Sequence, residues 1–309
     1  MTPLVFSIPL RTRFRGIDVR EGILLRGSAG WGEFSPFVEY DLAAARRWLA
    51  AARESADEGW PAPLRDRVPV NVTVPAVGPE QAIHIVRDSG GCRTAKVKVA
   101  QAGQSLDEDV RRVEAVRDAL GSAGRLRLDA NGAWSVEAAV RAIIALGRFD
   151  LEYVEQPCAT LEEMAALRRR VNVPLAADES VRNAADPLRV VGLAAADIVV
   201  LKSQPLGGVR AALDVAESCG LPVVVSSALE TSVGIAAGVA LAAALPELPY
   251  ACGLATGQLL VGDVVADPLS VVDGHLPVRR PVVDEGACQE FAASADRQRW
   301  WRDRLAAAG

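Results

Sequence analysis

The sequence predicts an α/β protein, a (β/α)8-type barrel with an N-terminal α+β capping domain completed by the C-terminal segment. Three observations carry that expectation. Short apolar runs recur, each closed by a charged or polar residue, and the closing residues step along the chain at a nearly constant interval. The first 67 residues and the tail stand outside that rhythm.

The clearest run is Arg125 to Asp129, which alternates as a strand does and is followed by Asn131 and Gly132. Runs ending at Glu155, Asp178, Lys202 and Ser226 repeat the pattern, with steps of 26, 23, 24 and 24 residues from Asp129 onward. A strand, a loop, a helix of three turns and a return loop take roughly 25 residues. Between the strand ends, Ser135 to Leu146 puts Val136, Ala139, Val140, Ile143 and Ile144 on one helical face, and Leu161 to Arg170 ends in three arginines, which suits a helix C-terminus. Parallel strands joined this way either open into a doubly wound sheet or close into a barrel. Polar groups on at least five successive strand ends favour closure, because every barrel strand ends at the same face. Eight strands are expected, over about 68–74, 94–99, 125–129, 151–155, 174–178, 197–202, 222–226 and 250–254.

Ahead of the repeat, residues 6–9, 17–25 and 30–34 read as short strands and 41–55 as a helix with Asp41 as N-cap. The Trp60-Pro-Ala-Pro63 stretch marks a boundary. The expected organisation is therefore a capping domain over 1–67, a barrel over 68–262 and a segment over 263–309 that returns to the cap. Residues 274–278 read as a strand rejoining the first domain, and 287–305 as a closing helix whose Trp300 and Trp301 serve packing. The Gly30-Trp-Gly-Glu33 turn and the Arg11, Arg13 and Arg15 loop are read as leaning over the barrel mouth, the arginines alternatively as solvated loop charges.

Composition narrows the function classes. With a net charge of −5 and a pI near 5.3, the chain offers no basic surface for nucleic acid or anionic membrane, and a small soluble ligand is expected. The longest apolar run, Val233 to Leu245, has 13 residues, too short to span a bilayer. Five scattered cysteines without a C-x-x-C pair read as buried thiols of a cytoplasmic protein. The oligomeric state is left open.

The chemistry sits at the strand ends. Asp129, Glu155 and Asp178 offer an all-oxygen site that suits Mg²⁺ and not zinc. Singly, such carboxylates often pair with rim lysines or cap helices; three in register favour a cation. Lys96 and Lys98 lie two apart on one strand and point the same way, into the lumen or toward the helices. A lumen lysine beside a cation is driven toward its neutral form and can act as a general base. Lys202 approaches from across the mouth, although any one of these lysines, Lys96 above all, also reads as an ion-pair partner of a metal ligand. Ser226 to Gly234 is a loop of small residues leading into a helix, rich in backbone donors for a carboxylate.

In order and approximate spacing, Lys96-x-Lys98, Asp129-x-Asn131, Glu155-Gln-Pro157, Asp178-Glu179-Ser180 and Lys202 resemble the enolase superfamily, in its muconate lactonizing enzyme subgroup, over essentially the whole chain. The resemblance implies Mg²⁺ on Asp129, Glu155 and Asp178, and Lys98 and Lys202 as the acid/base pair. Supporting or substrate-binding places then fall to Lys96, Asn131, Glu179, Gly207, Ser226, Ser227 and Leu229, with a small carboxylate as substrate. Within the subgroup the chain is most similar to the dehydratases that aromatise 2-succinyl-6-hydroxy-2,4-cyclohexadiene-1-carboxylate through an enediolate in menaquinone biosynthesis. The stretches after the sixth, seventh and eighth strand ends, 203–208, 226–234 and 252–256, lean that way. N-acylamino acid racemases and dipeptide epimerases are the alternatives, and a non-catalytic metal-binding barrel is the alternative of another class. The Asp-x-Asp of dipeptide epimerases is absent at the eighth strand end, and the two histidines, His84 and His275, lie away from the seventh, where a mandelate racemase-like reaction needs one.

Overall fold

A computed structural model describes residues 4–182 and 187–309. Among the described residues twelve strands run in chain order: β1 Leu4–Phe14, β2 Ile17–Arg26, β3 Trp31–Phe34, β4 Arg67–Pro69, β5 Val72–Val74, β6 Thr94–Lys98, β7 Arg125–Asp129, β8 Leu151–Glu155, β9 Leu175–Ala177, β10 Ile198–Leu201, β11 Val223–Val225 and β12 His275–Pro277. Strands β5 to β11 form one parallel sheet in sequence order, the arrangement expected when each strand is followed by a crossover helix. The sheet curls until its edges nearly meet. Its register is set by pairs such as Lys98 with Asp129 and Asp129 with Glu155, which align the charged strand ends at one rim.

The expected eighth strand over 250–254 is only a bridged segment. Cys252 pairs with Val70 and Gly253 with Ser226, closing the ring between β11 and the start of the barrel through hydrogen bonds such as Cys252 N to Pro69 O (2.7 Å) and Gly253 N to Val225 O (2.8 Å). The first expected strand, 68–74, is split. At Val70 and Asn71 the chain changes partners, the Val70 amide donating to Gly274 O and the Asn71 amide to Cys252 O, before β5 joins β6. In consequence β12 pairs antiparallel with β4 at the foot of the barrel, not with the cap sheet.

Local sequence explains the shell. Ser105 and Thr160 form capping boxes with Glu108 and Glu163 ahead of helices Leu106–Leu120 and Leu161–Arg168, and Ser135 caps Val136–Leu146 through the Ala138 amide. On that last helix the buried stripe is Ala139, Ala142, Ile143 and Leu146, so Ile144, expected inside, is 73% exposed. It lies about 100° around the helix from Ile143. Helix Ser232–Ala244 is buried on nearly every side, which its unbroken apolar run anticipates. No helix among the described residues is long and apolar enough to cross a membrane. All five cysteines are buried, and no disulfide forms among the described residues.

The cap is the antiparallel sheet β1-β2-β3 under helix Leu42–Arg53, which Asp41 caps through the Ala44 amide and which continues as a π-helical turn, Glu54–Glu58. The closing helix expected over 287–305 is broken in two, Glu285–Glu290 and Ala295–Ala308. Between them the chain is drawn onto the open edge of β1, with Ser7 N donating to Phe291 O and Ala293 N to Val5 O. Trp301 then fills the cap core: it is 1% exposed, meets Phe34 edge to face at 6.2 Å and donates its indole N–H to Glu21 at 3.3 Å.

Truncating so large a buried ring should be costly. Trp301→Ala is expected to lower unfolding stability by about 3–5 kcal/mol in urea titration. A loss under ~1 kcal/mol would show that the C-terminal helix is peripheral to the cap.

Candidate active site

Strand alternation sends every second side chain into the lumen. One layer holds Arg127, Tyr153, Ala176, Val200 and Val224; two residues further along each strand lie Asp129, Glu155, Asp178, Lys202 and Ser226. Lys96 and Lys98, both on β6, also reach inward. Lys96 Nζ lies 2.7 Å from Glu155 Oε1 and 3.2 Å from Asp129 Oδ2; Lys98 Nζ donates to Asp129 Oδ2 at 2.6 Å and Asn131 Oδ1 at 2.7 Å. Across the mouth, Lys202 Nζ lies 2.6 Å from Asp178 Oδ2. Both ammonium-bearing walls therefore face one row of carboxylates.

The electrostatics differ residue by residue. Burial disfavours every charge here, yet Lys98 and Lys96 hold the Asp129 carboxyl far below its ordinary range, and Arg182 and Lys202 do the same for Asp178. Glu155 goes the other way, pushed up to about 7 by burial and by the Asp129 charge, which Lys96 only partly offsets. Lys96, although burial works against it, is held well above its ordinary value by Glu155 and Asp129, so it stays an ammonium. Lys202 is shifted down, because burial outweighs the Asp178 attraction.

Among the described residues no His, Cys, Asp and Glu side chains stand together as a ready-made metal cluster; ammonium groups occupy the spaces between the carboxylates. The donor set nevertheless fits a hard cation. Glu155 Oε2 is buried without a partner, and its carboxyl is the under-compensated member of the row. A divalent cation held by Asp129, Glu155 and Asp178 would satisfy both.

Above the row lies a cavity of about 340 Å³, floored by the barrel rim and roofed by the Thr12–Gly16 turn of the cap. Of the expected residues, Lys96, Lys98, Asp129, Asn131, Glu179, Lys202, Ser226, Ser227 and Leu229 line it; Glu155 and Asp178 lie beneath, 0% and 1% exposed. Gly207 does not reach the cavity. With φ of 98° it turns the chain out of the short helix Ser203–Leu206, a structural duty that follows from the paired glycines before Val209. The seventh loop is wired by hydroxyls, Ser227 Oγ to Thr256 Oγ1 at 2.6 Å and to Gly253 O at 3.0 Å.

Several lining residues escape a reading of strand ends. Arg182 sits one helical turn past Asp178, donates to Asp178 Oδ1 at 2.8 Å and also pairs with Glu179; its i,i+4 spacing is the available signal. Phe14 places its ring 5.4 Å from Lys98 Nζ. Arg13 and Arg15 line the cavity, so that part of the arginine loop does lean over the mouth, whereas Arg11 is turned toward Val261 O at 3.5 Å.

Comparison with known proteins agrees in sequence and in shape. A family model described as enolase C-terminal domain-like matches residues 80–282, and one described as enolase N-terminal domain-like matches residues 5–56. A protein of Thermobifida fusca named o-succinylbenzoate synthase is 68% identical over 308 residues, covering 100% of this chain and 96% of that one. Proteins of the same name from Mycolicibacterium smegmatis and Mycobacterium tuberculosis are 56% and 55% identical, each over 98% of this chain and over 94% and 92% of their own. Muconate lactonizing enzymes of Pseudomonas fluorescens and Pseudomonas putida share the fold, with TM-scores of 0.81 and 0.79 at 23% and 22% identity, over 94% of this chain and 98% of theirs.

The carboxylate row gives a direct metal test. Mg²⁺ or Mn²⁺ should raise the thermal unfolding midpoint of the protein, and Glu155→Gln should abolish that rise, with far-UV circular dichroism unchanged. An equal rise in the variant would remove Glu155 from the ligand set.

Proposed function

The chain belongs to the enolase superfamily, and on that footing we propose that it is an o-succinylbenzoate synthase, a hydro-lyase that converts 2-succinyl-6-hydroxy-2,4-cyclohexadiene-1-carboxylate to 2-succinylbenzoate in menaquinone biosynthesis. The observation that carries this reading is the opposition of Lys98 and Lys202 across one cavity, above a row of three carboxylates. Relatives named for that reaction match the chain from end to end.

The reaction removes the proton on the ring carbon that bears the carboxylate and then the hydroxyl on the neighbouring carbon. In this reading Lys98 takes the α-proton. The electron pair left behind spreads into the carboxylate as an enediolate, then re-forms the ring double bond as the hydroxyl departs. Because the elimination is syn, Lys98 can return the same proton to the leaving oxygen, so that water is released and the base regenerated. Lys202 remains an ammonium that offsets the enediolate charge. Mg²⁺ bound by Asp129, Glu155 and Asp178 would supply a Lewis acid for the substrate carboxylate. Lys96, pinned between Glu155 and Asp129, holds the ligands rather than moving protons. The Ser226–Leu229 segment lines the part of the cavity that receives the succinyl carboxylate; the Ser226, Ser227 and Ala228 amides are already engaged by Leu201 O, Gly253 O and Glu230 Oε2, so the Ser226 and Ser227 side chains, not those peptides, meet the substrate.

Two features separate this reading from its racemase and epimerase alternatives. The eighth segment presents Thr256 and no carboxylate to the cavity, so nothing there pairs with a substrate amine. The reaction is also driven by aromatisation, which asks less of the site than racemisation, where two bases must alternate with equal alignment.

Lys98→Ala should lower kcat beyond the ~10²–10⁴ range of general acid/base catalysis, whereas Lys96→Ala should retain measurable turnover with weaker metal binding. Equal, mild losses in both would show that the base is misassigned. Given both substrates side by side, the Mg²⁺-loaded protein should dehydrate the cyclohexadiene far faster than it racemises an N-succinyl amino acid. Efficient racemisation without dehydration would overturn the proposed reaction while leaving the fold and the lysine pair untouched.

A further inference from the structure

We propose that Arg20 and Glu33, two buried residues of the cap outside the catalytic row, are positioning residues that hold the seventh-loop segment in the conformation that receives the distal carboxylate of the substrate. The inference rests on the proposed function for the identity of that substrate.

The wall in question is Ser226–Leu229, and Leu229 is its strained member. A leucine at φ of 64° lies in the left-handed region, which is sterically unfavourable for a residue with a Cβ and persists only where the surroundings over-determine it. The determinant comes from the cap. Arg20, 2% exposed on β2, donates Nε to Leu229 O at 2.7 Å. Its Nη2 donates to Ser35 Oγ at 2.9 Å, and Ser35 Oγ donates in turn to Glu33 Oε1 at 2.6 Å. Glu33, also 2% exposed, takes on Oε2 the Thr231 amide (3.1 Å), the Thr231 hydroxyl (2.6 Å) and the Gly234 amide (3.1 Å). The relay therefore grips the loop on both sides of Glu230, at the Leu229 carbonyl and at the first turn of helix Ser232–Ala244.

A carboxylate at a helix N-terminus is an ordinary stabilising device. Here the carboxylate is contributed by another domain, nearly two hundred residues away in sequence, and it is tied through Ser35 to the guanidinium that fixes the cavity wall. Burying these charges at a domain junction is expensive unless each is fully engaged. Neither residue lines the cavity, so the effect on substrate is indirect: without the Arg20 bond the 229–230 peptide relaxes toward the right-handed region and withdraws the wall.

The test is steady-state kinetics of the Mg²⁺-loaded full-length protein on the cyclohexadiene, with thermal melts as the folding control. Because the segment grips a part of the substrate remote from the reacting carbons, Arg20→Met should raise KM by about tenfold or more while kcat falls less than about threefold. Glu33→Ala should act in the same sense, and Glu33→Gln, which keeps one acceptor oxygen, should restore most of the loss. The KM penalty of Arg20→Met should shrink by about threefold or more in a Leu229→Gly background, where a positive φ no longer needs enforcing. An unchanged KM in folded Arg20→Met, an equal penalty in both backgrounds, or equal losses in Glu33→Ala and Glu33→Gln would overturn the inference. Should Arg20→Met melt below the assay temperature, the Glu33 pair decides alone. Wild-type protein that leaves the cyclohexadiene unconverted would overturn the proposed function and this inference together; normal wild-type turnover with an unmoved KM overturns the inference only.

Discussion

Three buried carboxylates on three adjacent strand ends are the constraint on which the rest of the molecule depends. In the lumen, where water is largely excluded, like charges a few ångströms apart repel strongly and each lone charge loses its hydration. The protein meets this with cations drawn from three elements: Lys96 and Lys98 from β6, Lys202 after β10, and Arg182 from the turn after Asp178. Asp129 and Asp178 are thereby held ionised. Glu155 is left with one engaged oxygen and one orphan, and its raised proton affinity identifies the middle of the row as the place where positive charge is still wanted. A parallel barrel supplies this geometry at little structural cost, since all its strands finish on one rim while the outer faces stay apolar against the helices.

Much of this was legible in the sequence because it is local. Lys96 and Lys98, or Arg127 and Asp129, share a face by strand parity alone, and the near-constant interval between strand ends fixes which carboxylates stand side by side. The eighth strand was misjudged for a physical reason. Only Cys252 and Gly253 pair, with hydrogen bonds supplied by the neighbouring strands, and two residues are too few to carry an alternation. Arg182 was hidden by a different periodicity, since its partnership with Asp178 runs along a helical turn. Gly207 was placed at the site through the resemblance of the 203–208 stretch; its positive φ instead serves the turn between two helices.

What sequence periodicity conveyed least is the joint between cap and barrel. Two cap carboxylates are buried against the N-termini of the helices that follow β10 and β11: Glu54 accepts from the amides of Val209 and Arg210, and Glu33 from those of Thr231 and Gly234. Gly208 is required for the first of these contacts, because a Cβ there would stand 2.4 Å from Glu54 Oε2. Arg47 adds a bond to Pro205 O at 2.9 Å. Contacts separated by more than 150 residues leave no local pattern: Glu54 and Arg47 read in sequence as unremarkable side chains, and the Gly30–Glu33 turn, expected over the mouth, instead sends Glu33 to the helix after β11.

The joint divides labour between the two parts of the chain. In the proposed reaction, proton transfer and charge stabilisation rest on side chains projecting from strand ends, which are held rigidly by the sheet and tolerate little displacement. Shape selection rests on the Thr12–Gly16 turn and the Ser226–Leu229 segment, which are loops and gain their rigidity from elsewhere. Since the Thr12–Gly16 turn belongs to the cap and the helix that follows Ser226–Leu229 is tethered to the cap by the buried Glu33 carboxylate, a change in how the cap seats on the barrel is transmitted to the cavity wall without touching the carboxylate row. In the proposed reaction, selectivity for the carboxylate tail can therefore vary through residues that never meet the substrate, while the chemistry assigned to Lys98 and Lys202 stays as it is.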